Sequence, residues 1–448
     1  MGSAVRRAGG PQPGQDAARA SRGRSLWLLA AVPFLMVLGN SMLFPIFPKM
    51  QSAIGVSEMQ TSLVVTAFSI PAGLLIPVAG YLSDRFGRRV IMAPGVALFG
   101  LGALVAALAA SLLPSPYAGV IVGRVVQGMG AAGMSQLAMA MAADLFSGKS
   151  RAGALGKIEA ANGLGKVVSP VSGGLVGLVS WFLPFFIFAV LALPLALGVW
   201  LFAREPKGVG TRVAVATYAR RIGAIFRERG RALGSGLVAG GTLMFLLFGT
   251  LFFLSETLER RYHVPELTTG FILAIPVAAM SLTSYGVGLY LGRHARLARA
   301  AVLLGLSVLA AVMAVLSLLH AVRPVLYVAI SCIGLGAGTA LPALNLLITS
   351  SAGAKERGLI TSLYGAVRFF GVALGPPAFG FMMKRGEGLL FGLAAALAAL
   401  ALITALAFLS SRQLLGKGPA PGGAGGGRAP EGRRGGRPLA AGGGVRVR

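Results

Sequence analysis

A chain of 448 residues that is 55% hydrophobic and only 12% charged is far more apolar than a soluble domain, so lipid must serve as much of its solvent. Its formal charge of +28 would suggest nucleic acid in a soluble protein, but here the Lys and Arg residues alternate between basic and nearly uncharged connections. That sorting marks membrane topology and argues against nucleic-acid binding.

A membrane-crossing helix needs roughly 17 to 25 apolar residues, and about twelve stretches qualify. The predicted helices of the first half cover 26–48, 61–82, 90–112, 117–143, 157–179 and 181–203. Those of the second half cover 232–255, 268–291, 299–320, 325–350, 358–383 and 388–410. Residues 1–25 form a basic tail, and the apolar run after them is longer than a signal-peptide core and has no clear small-residue cleavage site, so it reads as a retained anchor. Residues 204–231 are a basic linker in which TRVAVATYARRIGAIFRERGR can form an amphipathic helix on the membrane surface. The tail over 411–448, rich in Gly, Pro and Arg, is expected to be disordered. Both tails, the linker and the loop at Arg85, Arg88 and Arg89 carry the basic excess, which puts both termini on the cytoplasmic side. Cys332 is the only cysteine, and His263, His294 and His320 sit in or beside three different loops, so no metal cluster is expected.

After the second predicted helix stands GYLSDRFGRR, Gly80 to Arg89. Asp84 and Arg88 lie four apart, and Gly80 and Gly87 permit a close helix approach and a tight turn. Gly80, Arg85 and Arg88 recur at Gly288, Arg293 and Arg296, each 208 positions on, with Gly292 in the place of Asp84. At the same offset SEMQT (Ser57 to Thr61) overlays PELTT (Pro265 to Thr269), and RVVQGMGAA (Arg124 to Ala132) overlays CIGLGAGTA (Cys332 to Ala340). GKVVSPVSGG (Gly165 to Gly174) overlays GVALGPPAFG (Gly371 to Gly380) 206 positions on. The chain therefore reads as a duplicated unit, an N-terminal bundle over 26–203 and a C-terminal bundle over 232–410. Like-oriented halves of this kind are used by secondary transporters, with the substrate site near mid-membrane between them.

In order and helix position, GYLSDRFGRR, RVVQGMGAA and GKVVSPVSGG resemble three signature motifs of the major facilitator superfamily, the third being characteristic of its twelve-helix drug:proton antiporters. The resemblance spans essentially everything from Trp27 to Leu409. It implies an all-α integral membrane fold of twelve transmembrane helices in two pseudo-symmetric six-helix bundles. It also implies a conformational latch made of Gly80, Asp84, Arg85, Gly87, Arg88 and Asp144, locking the outward-open state, with a weaker counterpart in the second half. Arg124 and Gln127 gain from it a role in proton coupling or substrate contact. The family's usual Gly-Pro pair is Ser169-Pro170 here, while the second half has an intact Gly375-Pro376.

The residues themselves add a cavity. An ionisable group such as Arg124 deep in a helix is costly and by default functional, although an arginine held by carbonyls for structure stays open. Glu159, Asn162 and Lys166 share one face of the fifth helix, and Arg368 is the repeat counterpart of Asn162. Asn40 and Asn345 add hydrogen bonds either to the cavity or between helices. Gly128, Gly130, Gly165, Pro170, Gly173, Gly174, Gly375 and Pro376 serve close packing and hinging. Apart from the latch, Glu159 and Glu256 are the acids in or near the membrane helices; Glu159 is favoured as proton carrier, with ordinary helix-end charge open for both. Lys166, Arg124 and Arg368 favour a neutral or anionic amphipath over a lipophilic cation. Siderophore-like acids fit that sign, although no residue names such a compound.

No nucleotide-binding Gly-Lys loop, metal-ligand spacing or serine nucleophile elbow is present, so no enzyme is expected. The expectation is proton-coupled export at the plasma membrane by a monomer, with the bilayer, protons and a small molecule as partners and no cofactor beyond the proton gradient. Proton-coupled uptake, or a non-transporting sensor or scaffold on the same fold, stays open.

Overall fold

The computed structural model describes residues 13–203, 215–351 and 357–415. The start of the basic N-terminal tail, the linker up to residue 214 and the tail beyond residue 415 lie outside the described residues. The described residues are helical with no strand, as expected where lipid offers backbone groups no hydrogen bonds. In chain order the helices of the first half are α1 (Pro13–Ser41), α2 (Phe47–Ile54), α3 (Glu58–Phe86), α4 (Arg88–Leu112), α5 (Tyr117–Ala131), α6 (Ser135–Leu145), α7 (Gly148–Gly177) and α8 (Leu183–Phe202). They are followed by α9 (Val215–Arg260), α10 (Glu266–Arg293), α11 (Ala298–Leu319), α12 (Arg323–Ser350), α13 (Arg357–Met383), α14 (Glu387–Phe408) and the short α15 (Ser411–Leu414).

Among the described residues, ten helical spans are long and apolar enough to cross a membrane. The two remaining crossings fall short for visible reasons. The fourth is divided into α5 and α6 by a turn in which Gly133 and Met134 donate to Gly130 and Ala131, three residues back. The fifth, α7, carries Lys157, Glu159 and Lys166. Both crossings hold residues singled out by their polarity.

Two further departures from simple spans occur. The first crossing continues through a 3₁₀ turn at Phe44–Ile46 into α2, which ends at Gly55 with φ +67°. The seventh crossing is the distal part of α9, a helix that runs on from the linker region with one non-helical residue, Arg229, at φ −130° and ψ 16°. The start of α3 is fixed by a reciprocal capping box: Gln60 N donates to Ser57 Oγ at 3.3 Å and Ser57 N to Gln60 Oε1 at 2.9 Å.

Within the first half α1 packs on α7 and α4 on α5 and α8; within the second α9 packs on α13, α11 on α12 and α14, and α10 on α12. Across the halves α3 packs on α13 and α7 on α10. By the sequence repeat α10 corresponds to α3 and α13 to α7, so these two interfaces are equivalents under one pseudo-two-fold axis. The fold is that of two pseudo-symmetric six-helix bundles enclosing a space between them.

Candidate functional site

Between the bundles lies a cavity of about 140 Å³. Its polar wall comprises Asn40 and Ser41 of the first crossing, Ser135 and Gln136 at the start of α6, Asn162 and Lys166 of α7, and Arg368 of α13. Its apolar wall includes Met36, Phe68, Met244, Phe248 and Phe369. Lys166 and Arg368 are both half-buried, and neither forms an ion pair among the described residues. Arg368 is held weakly: Nη2 lies 4.0 Å from Met244 Sδ, the guanidinium carbon stands 5.5 Å from the Tyr364 ring centroid, and buried Nε has no hydrogen-bond partner. Two cations thus face one small space. Glu159 is exposed and outside the lining, although Asn162 Nδ2 donates to its Oε1 at 3.2 Å. Asn40 lines the cavity with a buried, unpartnered Oδ1, whereas Asn345 is exposed on α12 and does not.

Arg124 is 0% exposed and lies outside the lining. Its Nε donates to Val64 O at 3.1 Å, and Nη1 donates to Gly39 O at 2.8 Å and Gln127 Oε1 at 2.7 Å. Its guanidinium sits 4.4 Å from the Phe68 ring centroid. One side chain of α5 therefore ties α1 and α3 together through carbonyls and a cation–π contact, with no carboxylate among the described residues involved. Gly128, one turn on, brings α5 so close to α3 that a Cβ there would overlap the Phe68 carbonyl.

The latch residues divide. Arg88 Nε lies 2.5 Å from Asp144 Oδ2, and Arg88 Nη1 lies 3.3 Å from Asp84 Oδ1, so these three meet. Gly87, at φ +107°, turns the chain from α3 into α4 and so places Asp84 and Arg88 on one side. Gly80 faces Ser362 of α13, which joins the latch to the other half. Arg85 is exposed and covers the Phe86 ring at 5.3 Å, outside the triad. In the second copy, an added Cβ at Gly292 would meet nothing within 4 Å.

At the other, distal end the halves are closed by contacts the sequence did not single out. Gln51 Nε2 donates to Glu256 Oε1 at 2.7 Å, Arg260 Nη2 donates to Gln51 Oε1 at 2.6 Å, and Arg260 pairs with both Glu58 and Glu256. Ser255 Oγ donates to Phe44 O at 2.6 Å, and Lys49 pairs with Glu266 at 3.5 Å. Two of the glycine and proline positions of α7 belong to this closure, Gly174 abutting Glu266 and the Pro170 carbonyl abutting Gly270 of α10, while Gly173 abuts Met42 within the first half. Gly165 and Gly130 pack within the first half against Phe34 and Phe99, and Gly375, next to Pro376, packs within the second against Phe245. Toward the basic end the same two helices carry Gly156, Gly286 and Gly288, where an added Cβ would meet nothing within 4 Å.

Ser41, Ser135 and Gln136 are cavity residues that sequence reasoning missed. Their signal was present: the Ser-Gln pair follows a glycine-rich run inside an otherwise apolar crossing.

Two six-helix bundles with a cavity of mixed polar and apolar lining between them define a multi-pass membrane transporter. Residues 29–376 and 298–441 match the sequence model of the Major Facilitator Superfamily, and the chain belongs to that superfamily. It is similar to a bacillibactin exporter of Bacillus subtilis (strain 168), 39% identical over 375 residues that cover 83% of this chain and 93% of that protein. It is also 30% identical over 264 residues to the puromycin resistance protein of Streptomyces alboniger, covering 55% of this chain and 49% of that one. Among solved structures it shares the fold of the human organic anion transporter MFSD10 (TETRAN), with a TM-score of 0.66, 20% identity and coverage of 86% and 99%. The D-xylose-proton symporter gives a TM-score of 0.69 at 14% identity, with coverage of 87% and 99%. The chain is a transporter and not an enzyme.

Proposed function

We propose that this protein is a secondary active transporter that exports a small amphipathic molecule, neutral or anionic, from the cytoplasm across the plasma membrane in exchange for protons. The observation that carries the reading is the pair of cations, Lys166 and Arg368, with no ion pair among the described residues and set into a cavity otherwise lined by apolar and neutral polar groups. An anionic head group would lie between them, with its apolar body against Met244, Phe248 and Phe369. A lipophilic cation would meet two like charges and no carboxylate in that lining.

The export direction is supported by the glycine and proline pattern of α7 and by the similarity to an exporter. By the positive-inside rule, the end carrying Arg85, Arg88, Arg293 and Arg296 is the cytoplasmic one and the distal end is the outer one. Alternating access then runs between the latch at the inner end and the closure at the outer end. Glu159, bonded to the cavity residue Asn162, is the candidate carrier of the exchanged proton. The cavity lies within one chain, so a monomer suffices, and the proton gradient is the energy source.

Everted vesicles with an acidified lumen and a pH dye test the reading. Proton release on addition of an anionic or neutral amphipath supports it. Release with cationic dyes alone, abolished by Glu159→Gln, would overturn the substrate class.

A further inference from the structure

The outer closure contains a carboxylate that the transport reading does not use. Glu256 is 0% exposed, on α9 of the second half. Its Oε1 accepts from Gln51 Nε2 of the first half at 2.7 Å. Its Oε2 lies 3.2 Å from Arg260 Nε yet accepts no hydrogen bond among the described residues. Arg260 is also the partner of Glu58 on α3, itself buried, so one guanidinium serves two buried carboxylates that face each other across the halves.

The remaining charges do not relieve this. Glu259, on the same helix, adds a third acid, with His263 beside it, while Lys49 of α2 is paired to Glu266 of α10. Arg261 and His320 of the neighbouring loops pair with Glu387 of α14, and Arg385, just past α13, covers the Phe381 ring.

We infer that Glu256 is a proton-binding site of the outer gate, taking up a proton from outer water as the halves close over it and returning it to the same side as they part. The sign follows from what opening changes. When the halves separate, Glu256 gains water and loses the repulsion of Glu58, and both changes favour the ionised form. It loses the Gln51 hydrogen bond, which favours the neutral form, but full desolvation of a carboxylate outweighs one side-chain hydrogen bond. Arg260 stays with it in either state, because the two are four residues apart on one helix. The closed gate therefore binds more protons than the open one, so by linkage external acidity favours closure. An acidic exterior resets the transporter to face the cytoplasm, independently of any proton that crosses. This assignment rests on the transport reading, but not on its direction or its substrate.

The test reads the gate and not the transport. Spin labels are placed by Ser52→Cys on α2 and Thr268→Cys on α10, both exposed at the outer end, in a Cys332→Ala background in nanodiscs without substrate. Between about pH 5.5 and about pH 8.5 the wild type is expected to go from one short distance to a mixture containing a longer one. Glu256→Gln, nearly isosteric, is expected to keep the short distance throughout. Gln51→Leu, which leaves the carboxyl but removes its hydrogen bond, is expected to move the midpoint up by about one pH unit. A wild type without pH response, or a Glu256→Gln protein that responds like the wild type or stands open, overturns the assignment. An intact gate response in a protein that shows no substrate-driven proton release would remove antiport and leave the gate site standing.

Discussion

Replacing Arg368 with Gln separates charge recognition from packing. Among the described residues the guanidinium makes no ion pair, touches Met244 Sδ at 4.0 Å and leaves Nε without a hydrogen bond, so its removal takes away little cohesion and relieves its repulsion of Lys166. An anionic group about 4 Å from it gains about 1 kcal/mol at the dielectric of water and about 4 kcal/mol at an effective value of 20. The site is half-buried, so about 2 kcal/mol is reasonable, which is about 30-fold in Kd. Binding of a matched pair of amphipaths, a carboxylate and its neutral amide, is measured by thermophoresis on purified Arg368→Gln and wild type. Affinity for the carboxylate is expected to fall about 30-fold and that for the amide less than threefold, with the melting temperature within about 1 °C. Equal losses for both ligands would make Arg368 a structural residue and refute the reasoning.

Arg124→Ala removes three hydrogen bonds of about 1 kcal/mol each and a cation–π contact of about 1 kcal/mol, partly offset by release from a desolvated site, for a net loss of about 3 kcal/mol. At this chain length that lowers the melting temperature by about 3 °C in scanning fluorimetry, with a smaller effect on ligand affinity; an unchanged melting temperature with transport abolished would return Arg124 to proton coupling or substrate contact. Asp144→Asn breaks the short bond to Arg88, whose partners are 17% and 33% exposed, and after screening this is about 1 kcal/mol, or about fivefold in the latch equilibrium. The transport rate should fall severalfold at normal expression, and less for Asp84→Asn, whose bond is longer and whose side chain is 44% exposed. An Asp144→Asn protein transporting at the wild-type rate would remove the latch.

The fold was legible because lipid leaves so few solutions: runs of apolar residues must be helices, and the 208-residue offset exposed the duplication. Lys166, Asn162 and Arg368 were legible as cavity residues because charge and amide groups inside apolar helices have few other places to go. Arg124 satisfied the same criterion, yet its partners are carbonyls of Gly39 and Val64, and no sequence pattern reports a carbonyl made available by a close helix approach. The outer closure was hidden for another reason. Gln51, Glu58 and Arg260 stand at helix ends, where charge is ordinary, and only the folding together of the two halves brings them to Glu256. The spacing of Glu256 and Arg260, four apart, was the one local hint.

The most direct test of proton-coupled anion export uses everted vesicles that hold an acidic lumen, with a fluorescent carboxylate amphipath and its cationic analogue presented outside. The carboxylate is expected to accumulate inside with simultaneous loss of lumenal acidity, to stop when the gradient is collapsed by an ionophore, and at low substrate concentration to fall about 30-fold in Arg368→Gln, while the cation does not accumulate. Accumulation of the cation in place of the carboxylate, or uptake that persists without the gradient, would contradict it.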